Sequence, residues 1–366
     1  MRCWILLLLL FVMVPGVAAQ DAGWPVEERC VGEPTTPSDD WTFDGTLVLT
    51  SPGQIHNYQH GWETPRVSVF DPEIAFPLVS PDSRHVLVRD LTVLESHEVS
   101  SLYRTTEIRV YDVLDGTVYV IEWPDEFWSG MRGSRRAPII WLDSEHFLVE
   151  RTDTDDVDRF YAINSFANDI EEWNNDLIPY TLAVLSISPD SEKGLYLMTI
   201  GGGENVWTLY QPGRENYDLP VGFIDLIWNP DSKGMTGITL DRERHEMQLV
   251  KIDLSGEITQ AILELSPDGE RYQVWGWSQD ANYLLFQNNT LHVVDYSNQV
   301  VVDTCIELSI FPLNTVYAAP DGNQFVFMES PSGPGNPIQI LDMDTWERYI
   351  VAYHSGGIIG WTAATG

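Results

Sequence analysis

The chain has 366 residues, 55 acidic against 20 basic side chains and a formal net charge of −35. A surface this negative repels phosphate backbones and anionic lipid heads, which excludes nucleic acid and leaves cations, basic proteins or neutral sugars as companions. Its only lysines are Lys193, Lys233 and Lys251, and a carboxylate-rich, lysine-poor surface also stays hydrated in a salty or acidic habitat.

Residues 1–19 read as a secretory signal, with Arg2 as the positive charge, an apolar core over Ile5 to Val14, and Val17-Ala18-Ala19 as small residues for cleavage before Gln20. The expected product is secreted or periplasmic: a leader over 20–40, then a single domain over 41–366. The apolar core is shorter than the roughly 18 residues of a membrane span, and no later run approaches that length, so the mature chain is expected not to insert. Cleavage removes Cys3 and leaves Cys30 and Cys305, an even pair in a compartment where disulfides persist. Their bond is expected to tie the leader to an outer strand late in the chain.

Along the chain, Thr46 to Thr50, Arg66 to Asp71 and Glu73 to Leu78 read as three successive strands. Ser80-Pro81-Asp82-Ser83 then stands between apolar runs, and it returns at Ser188-Pro189-Asp190-Ser191, Asn229-Pro230-Asp231-Ser232, Ser278-Gln279-Asp280-Ala281 and Ala319-Pro320-Asp321-Gly322. Proline fixes the first central φ of a turn, aspartate suits the second, and a small residue closes it. After the first turn, His85 to Val88, Glu107 to Asp112 and Thr117 to Ile121 complete a four-stranded unit. Asp143 marks a unit whose turn has lost its proline, and the turn aspartates Asp82, Asp143, Asp190, Asp231, Asp280 and Asp321 are 61, 47, 41, 49 and 41 residues apart. Repeats of roughly 40 to 50 residues make β-propeller blades. The three strands before Ser80 lack a first strand, and Gly357 to Trp361 is a first strand with nothing after it. Joined, they predict an all-β, seven-bladed propeller of antiparallel blades whose two termini share one sheet.

The Ser-Pro-Asp turn, followed by a strand ending in Tyr111-Asp112, Ile252-Asp253, Val294-Asp295 or Leu341-Asp342, resembles the repeats of TolB-like and WD-repeat-like propellers. The resemblance covers nearly all of residues 41–366 and implies a fold that chiefly binds partners. The chain is expected to leave no room for the separate N-terminal domain of TolB, and it lacks the Gly-His and Trp-Asp pairs of true WD repeats.

Ligands are expected on the face that carries the 2–3 and 4–1 connections, because rigid blades position loops that vary freely. His56, Tyr58, His60 and Trp62 share one expected loop, suited to stacking on a sugar or peptide ring, or to a transition metal held by the two histidines. The alternative is a loop packed over the blade junction. Trp128, Arg132, Arg135 and Arg136 form the one basic island, within an insertion over Trp123 to Pro138. They suit a carboxylate or sulfate, or neutralise the acidic loops beside them. Asp153, Asp155, Asp156 and Asp158 offer the oxygen ligands that calcium prefers, in a pattern that departs from an EF-hand because Val157 takes the third ligand place. Otherwise they are a solvated acidic tip.

No nucleophile elbow, zinc-protease helix or phosphate-cradling glycine loop is present in the sequence. The expectation is a monomeric, non-catalytic module that binds a protein or glycan. The alternative is a carbohydrate-active hydrolase or lyase with carboxylates lining the channel.

Overall fold

The computed structural model describes residues 23–51, 53–60, 66–69, 75–96, 101–121, 132–133, 139–152, 158–167, 169–173, 184–190, 192–200, 204–211, 217–219, 222–241, 243–267, 272–308, 316–320, 323–329 and 335–363. The expected signal over 1–19 lies outside them. All regular structure among the described residues is β. The leader carries β1 (Val26–Glu28), followed by β2 (Thr46–Ser51), β3 (Gln54–Gln59) and β4 (Arg66–Val69). Blade I comprises β5 (Ala75–Val79), β6 (His85–Ser96), β7 (Ser101–Asp112) and β8 (Val118–Val120), with β9 (Arg132–Gly133) after it. Blade II is β10 (Ile139–Trp141), β11 (His146–Thr152), β12 (Asp158–Asn164) and β13 (Ile170–Trp173). Blade III is β14 (Val184–Ile187), β15 (Gly194–Ile200), β16 (Glu204–Tyr210) and β17 (Tyr217–Asp218). Blade IV is β18 (Phe223–Trp228), β19 (Gly234–Asp241), β20 (Glu246–Asp253) and β21 (Ile258–Leu265). Blade V is β22 (Gln273–Trp277), β23 (Tyr283–Gln287), β24 (Thr290–Asp295) and β25 (Val300–Glu307). Blade VI is β26 (Tyr317–Ala318), β27 (Gln324–Met328), β28 (Asn336–Asp342) and β29 (Glu347–His354). Finally β30 (Gly357–Thr362) pairs with β2, so blade VII reads β30-β2-β3-β4 and closes the seven-bladed propeller. Thr46 lies opposite Thr362 and Thr50 opposite Gly357.

First strands of neighbouring blades lie side by side, as with β5 and β10, β18 and β22, or β30 and β5, so they ring the centre and the fourth strands form the rim. A blade between two others buries both faces, which is why the inner strands read as continuous apolar runs. In β2, Leu47 and Leu49 pack on blade VI beside Val326 and Ile340, while Val48 turns the other way onto Val86 and Val88 of blade I.

The recurrent tetrapeptide is a turn-building device. Ser83 N–H donates to the Ser80 carbonyl at 2.8 Å, Ser80 Oγ accepts the His85 N–H at 2.9 Å, and Asp82 Oδ1 accepts the Arg84 N–H at 3.1 Å. Asp190, Asp231 and Asp280 accept the N–H two residues on in the same way. The fourth residue sits in the left-handed region, with φ of 56° at Ser83 and Ser232 and 62° at Ala281. That conformation costs a side chain about 1–2 kcal/mol, so Ala281→Gly is expected to raise stability by about 0.5–1 kcal/mol after the entropy of glycine is subtracted. A denaturant midpoint checks it. The third-strand aspartates do the same work in the 3–4 turns: Asp112 Oδ1 accepts the Leu114 N–H and Asp342 Oδ1 the Asp344 N–H. First-strand tryptophans staple blades together: Trp141 Nε1 donates to Leu78 O across the blade I–II seam at 3.1 Å, and Trp228 Nε1 to Ser186 O across the III–IV seam at 3.1 Å.

Two strand readings are corrected. Blade VII takes β3 from the segment expected as a loop, because a two-residue connection holding Gly53 at φ 75° turns the chain straight back after Ser51. Arg66–Val69 is therefore its fourth strand, and Ala75–Val79, expected to be that fourth strand, opens blade I instead. Blade I also extends β6 and β7 well past the expected strands His85 to Val88 and Glu107 to Asp112.

The leader is a strap around the rim. Trp24 N–H donates to Ile262 O on blade IV, β1 runs parallel to β25 on blade V, and Thr35 bridges Tyr349 on blade VI. Cys30 and Cys305 are disulfide-bonded across a separation of 275 residues, with Cα atoms 4.8 Å apart. Arg29 covers the Trp346 ring at 4.3 Å, and the buried Arg348 donates to Gly32 O and pairs with Glu329.

Candidate binding face

In an antiparallel meander the 1–2 and 3–4 connections share one end and the 2–3 and 4–1 connections share the other. At the first end the repeated serines and aspartates are consumed by backbone N–H groups, as above. At Asp190 burial pushes the carboxyl up, but Lys193 Nζ at 2.5 Å, the Ser188 hydroxyl and the Glu192 N–H outweigh it and hold the pKa at about 2. That end is structural. The other end carries the departures from the repeat, and the largest of them converge on blade I.

There β6 pairs with β5 as far as Arg89, and β7 pairs with β8 from Tyr111 as far as Arg109. Beyond, the two strands run on together to Ser96 and Ser101, seven residues on β6 or about 20 Å at roughly 3.3 Å per residue. Register shifts at Asp90/Leu91 and Val93/Glu95 twist this arm. A two-stranded ribbon alone is marginal in water, and β9 supplies a third strand, with Gly133 opposite Tyr103 and Arg132 opposite Arg104. The insertion after blade I thus folds back onto the arm, placing the basic island's Arg132 there. Trp128, Arg135 and Arg136 lie outside the described residues.

The remaining expected site residues are distributed. His56 and Tyr58 lie on β3 and His60 just after it, so the strand separates the two histidines by about 13 Å of rise and does not bring them together on one ion. Tyr58 stacks on Phe43 at 6.1 Å, and His60 sets its ring edge-on to Phe43 at 5.6 Å, both at the structural end of blade VII. Trp62 lies outside the described residues, as do Asp153, Asp155 and Asp156, whereas Asp158 opens β12 opposite Thr152. His56 stands at the 2–3 end instead, and its neighbour there is His354, at the end of β29. Their ring centroids are 4.7 Å apart, His56 Nε2 is 3.0 Å from Ser51 Oγ, and His354 Nε2 is 3.2 Å from Thr50 O. The adjacent Tyr353 is 67% exposed, an aromatic presented to solvent on the same edge. Gly356 allows the chain to pass here, since a Cβ would fall 1.6 Å from Thr50 O.

Burial lowers the pKa of His56, helped by His354, and burial lowers that of His354 despite its bond to Thr50 O. Burial also lowers His85, at the structural end, against the pull of Asp82 and Asp112. Each folded value lies below the unfolded one, near 6.5, so the stability these rings contribute is complete above that pH. It is lost as pH falls through the folded values, because the unfolded chain binds the extra protons. The thermal midpoint of metal-free protein is expected to drop between pH 7.5 and 5.5, less so in a His56→Gln, His354→Gln variant.

Among the described residues of the central strands, Asp225 on β18 is the one carboxylate. Its Oδ2 accepts the Val274 N–H of blade V at 2.8 Å, and burial raises its pKa although the N–H groups of Val274 and Leu226 lower it. A raised carboxyl stabilises below the unfolded value near 3.9 and loses that contribution as pH rises through its folded value. Asp225→Asn keeps an acceptor for Val274 and removes the buried charge. Its thermal midpoint at pH 7.5 is expected to match or exceed that of the wild type.

No protein-family model matches the chain, and no curated protein matches it. Solved structures do. A Bacteroides fragilis protein provisionally named a 6-phosphogluconolactonase aligns at 12% identity over 90% of this chain and 100% of its own, with a TM-score of 0.52. A protein of the same provisional name from Bacteroides uniformis aligns at 12% identity over 87% and 97%, with a TM-score of 0.51. TolB from Acinetobacter baumannii aligns at 15% identity over 90% and 68%, with a TM-score of 0.44. Identities this low speak to architecture alone, and what the chain shares with the two Bacteroides proteins is the overall fold.

Proposed function

We propose that this protein is an exported, non-catalytic recognition module that holds a protein or glycan partner on its 2–3 face, chiefly through the blade I arm. The observation that carries the reading is the convergence of the longest 2–3 extension and the longest 4–1 insertion into one three-stranded projection. Repeat residues elsewhere are committed to turns and seams, so variation is concentrated where a partner can reach it. Export is supported by the apolar, Arg2-led start of the sequence and by the Cys30–Cys305 bond. Asp153, Asp155, Asp156 and Asp158 are retained in this reading as candidate calcium ligands.

The sugar-cleaving alternative needs two converging carboxylates, whereas Asp225 is spent on the backbone of blade V. Glycan and peptide arrays probed with the purified exported chain test the proposal. Selective capture is expected, and it should disappear when Leu91–Thr105 is replaced by Asn-Gly while the thermal midpoint is kept. Cleavage of a polysaccharide by a chain that captures nothing would overturn it.

A further inference from the structure

The geometry points to a transition-metal site of the zinc or nickel type held by His56 and His354 across the seam of blades VI and VII. The two imidazoles come from different blades, His56 from β3 and His354 from the end of β29, and meet beside the β29–β30 connection. An ion about 2.1 Å from one nitrogen of each ring lies about 3.2 Å from each centroid, so ligands subtending roughly 95° have centroids about 4.7 Å apart. The observed separation is 4.7 Å, with ring planes at 68°.

Hydrogen bonding sets which nitrogen of each ring keeps its lone pair. Thr50 O only accepts, so His354 Nε2 carries the hydrogen and Nδ1 keeps its lone pair. Ser51 Oγ can accept from His56 Nε2 in the same way, leaving the second Nδ1 open. An oxygen acceptor on the remote ring nitrogen is the support that metal-binding imidazoles commonly have, fixing tautomer and ring orientation. Imidazole donors select borderline ions over calcium and magnesium, and the −35 charge draws any cation toward the surface. The remaining positions are open to water. A bound ion would link the rim strand of blade VI directly to blade VII, independently of any partner on the arm.

Calorimetric titration of chelator-treated full-length mature protein with ZnCl2, in millimolar CaCl2 to occupy exposed carboxylates, tests the site. One Zn2+ per chain is expected, with affinity reduced at least about tenfold in His56→Ala and in His354→Ala and unchanged in His60→Ala. Circular dichroism verifies that each variant is folded, and Cu2+-loaded wild type should show electron spin coupling to two nitrogens. Wild type that binds no Zn2+, variants that bind it equally well, or a copper signal without two nitrogens would overturn the assignment.

Discussion

Replacing Cys30 or Cys305 by serine is expected to release the strap and cost the protein up to about 5–6 kcal/mol, the chain-entropy value for a loop of this size. The bond closes 275 residues of chain, and what it pins is a segment that touches three successive rims. Trp24 on Ile262, β1 on β25, and Thr35 beside Tyr349 are held by one to a few backbone hydrogen bonds each, individually worth about 0.5–1.5 kcal/mol net. Without the covalent tie each can open alone, and β25 then presents an uncovered strand edge of the kind that pairs with other chains. The serine variants should lose thermal stability and be cut faster by protease within residues 29–35. They should also aggregate more readily on heating. A variant with an unchanged midpoint and unchanged cleavage would show that the strap is held without the bond.

Trp361→Ala carries the other large expectation. Trp361 is 3% exposed in the cluster joining blades VI and VII, and its Nε1 donates to Asp44 O at 2.8 Å. Truncation leaves a cavity costing about 3–5 kcal/mol and removes the bond to Asp44 O. The loss falls on the one sheet built from both chain ends, so it loosens closure as well as packing. Tyr353→Ala, four residues from the start of β30 and exposed, is the control and should stay within about 0.5 kcal/mol. A denaturant midpoint separates the two. Equal effects would mean that blade VII adds nothing special to the ring.

Blade number was legible because turn chemistry repeats: Asp82, Asp190, Asp231 and Asp280 each accept the N–H two residues on, at the same place in successive blades. The disulfide was legible from parity and compartment. The β2–β3 hairpin was signalled by Pro52-Gly53 between alternating runs, a turn signature overshadowed by the histidines and aromatics that follow it. The arm was hidden for a different reason. Leu91, Val93, Leu102 and Tyr103 read as strand formers, yet a connection that doubles as a strand breaks the period that defined the blades. The histidine pair was beyond reach: His56 and His354 are 298 residues apart in sequence and become neighbours only when the ring closes. His60, close in sequence, goes to the opposite end because a strand rises about 3.3 Å per residue.

The shared faces of the ring depend on β30 lying in the same sheet as β2. Hydrogen exchange read by mass spectrometry on peptides spanning 46–51 and 357–362 tests this directly. Slow exchange in both is expected, with protection lost from both together in Trp361→Ala, since Thr46 opposes Thr362 and Thr50 opposes Gly357. Protection of 46–51 beside free exchange of 357–362 would contradict the closed ring.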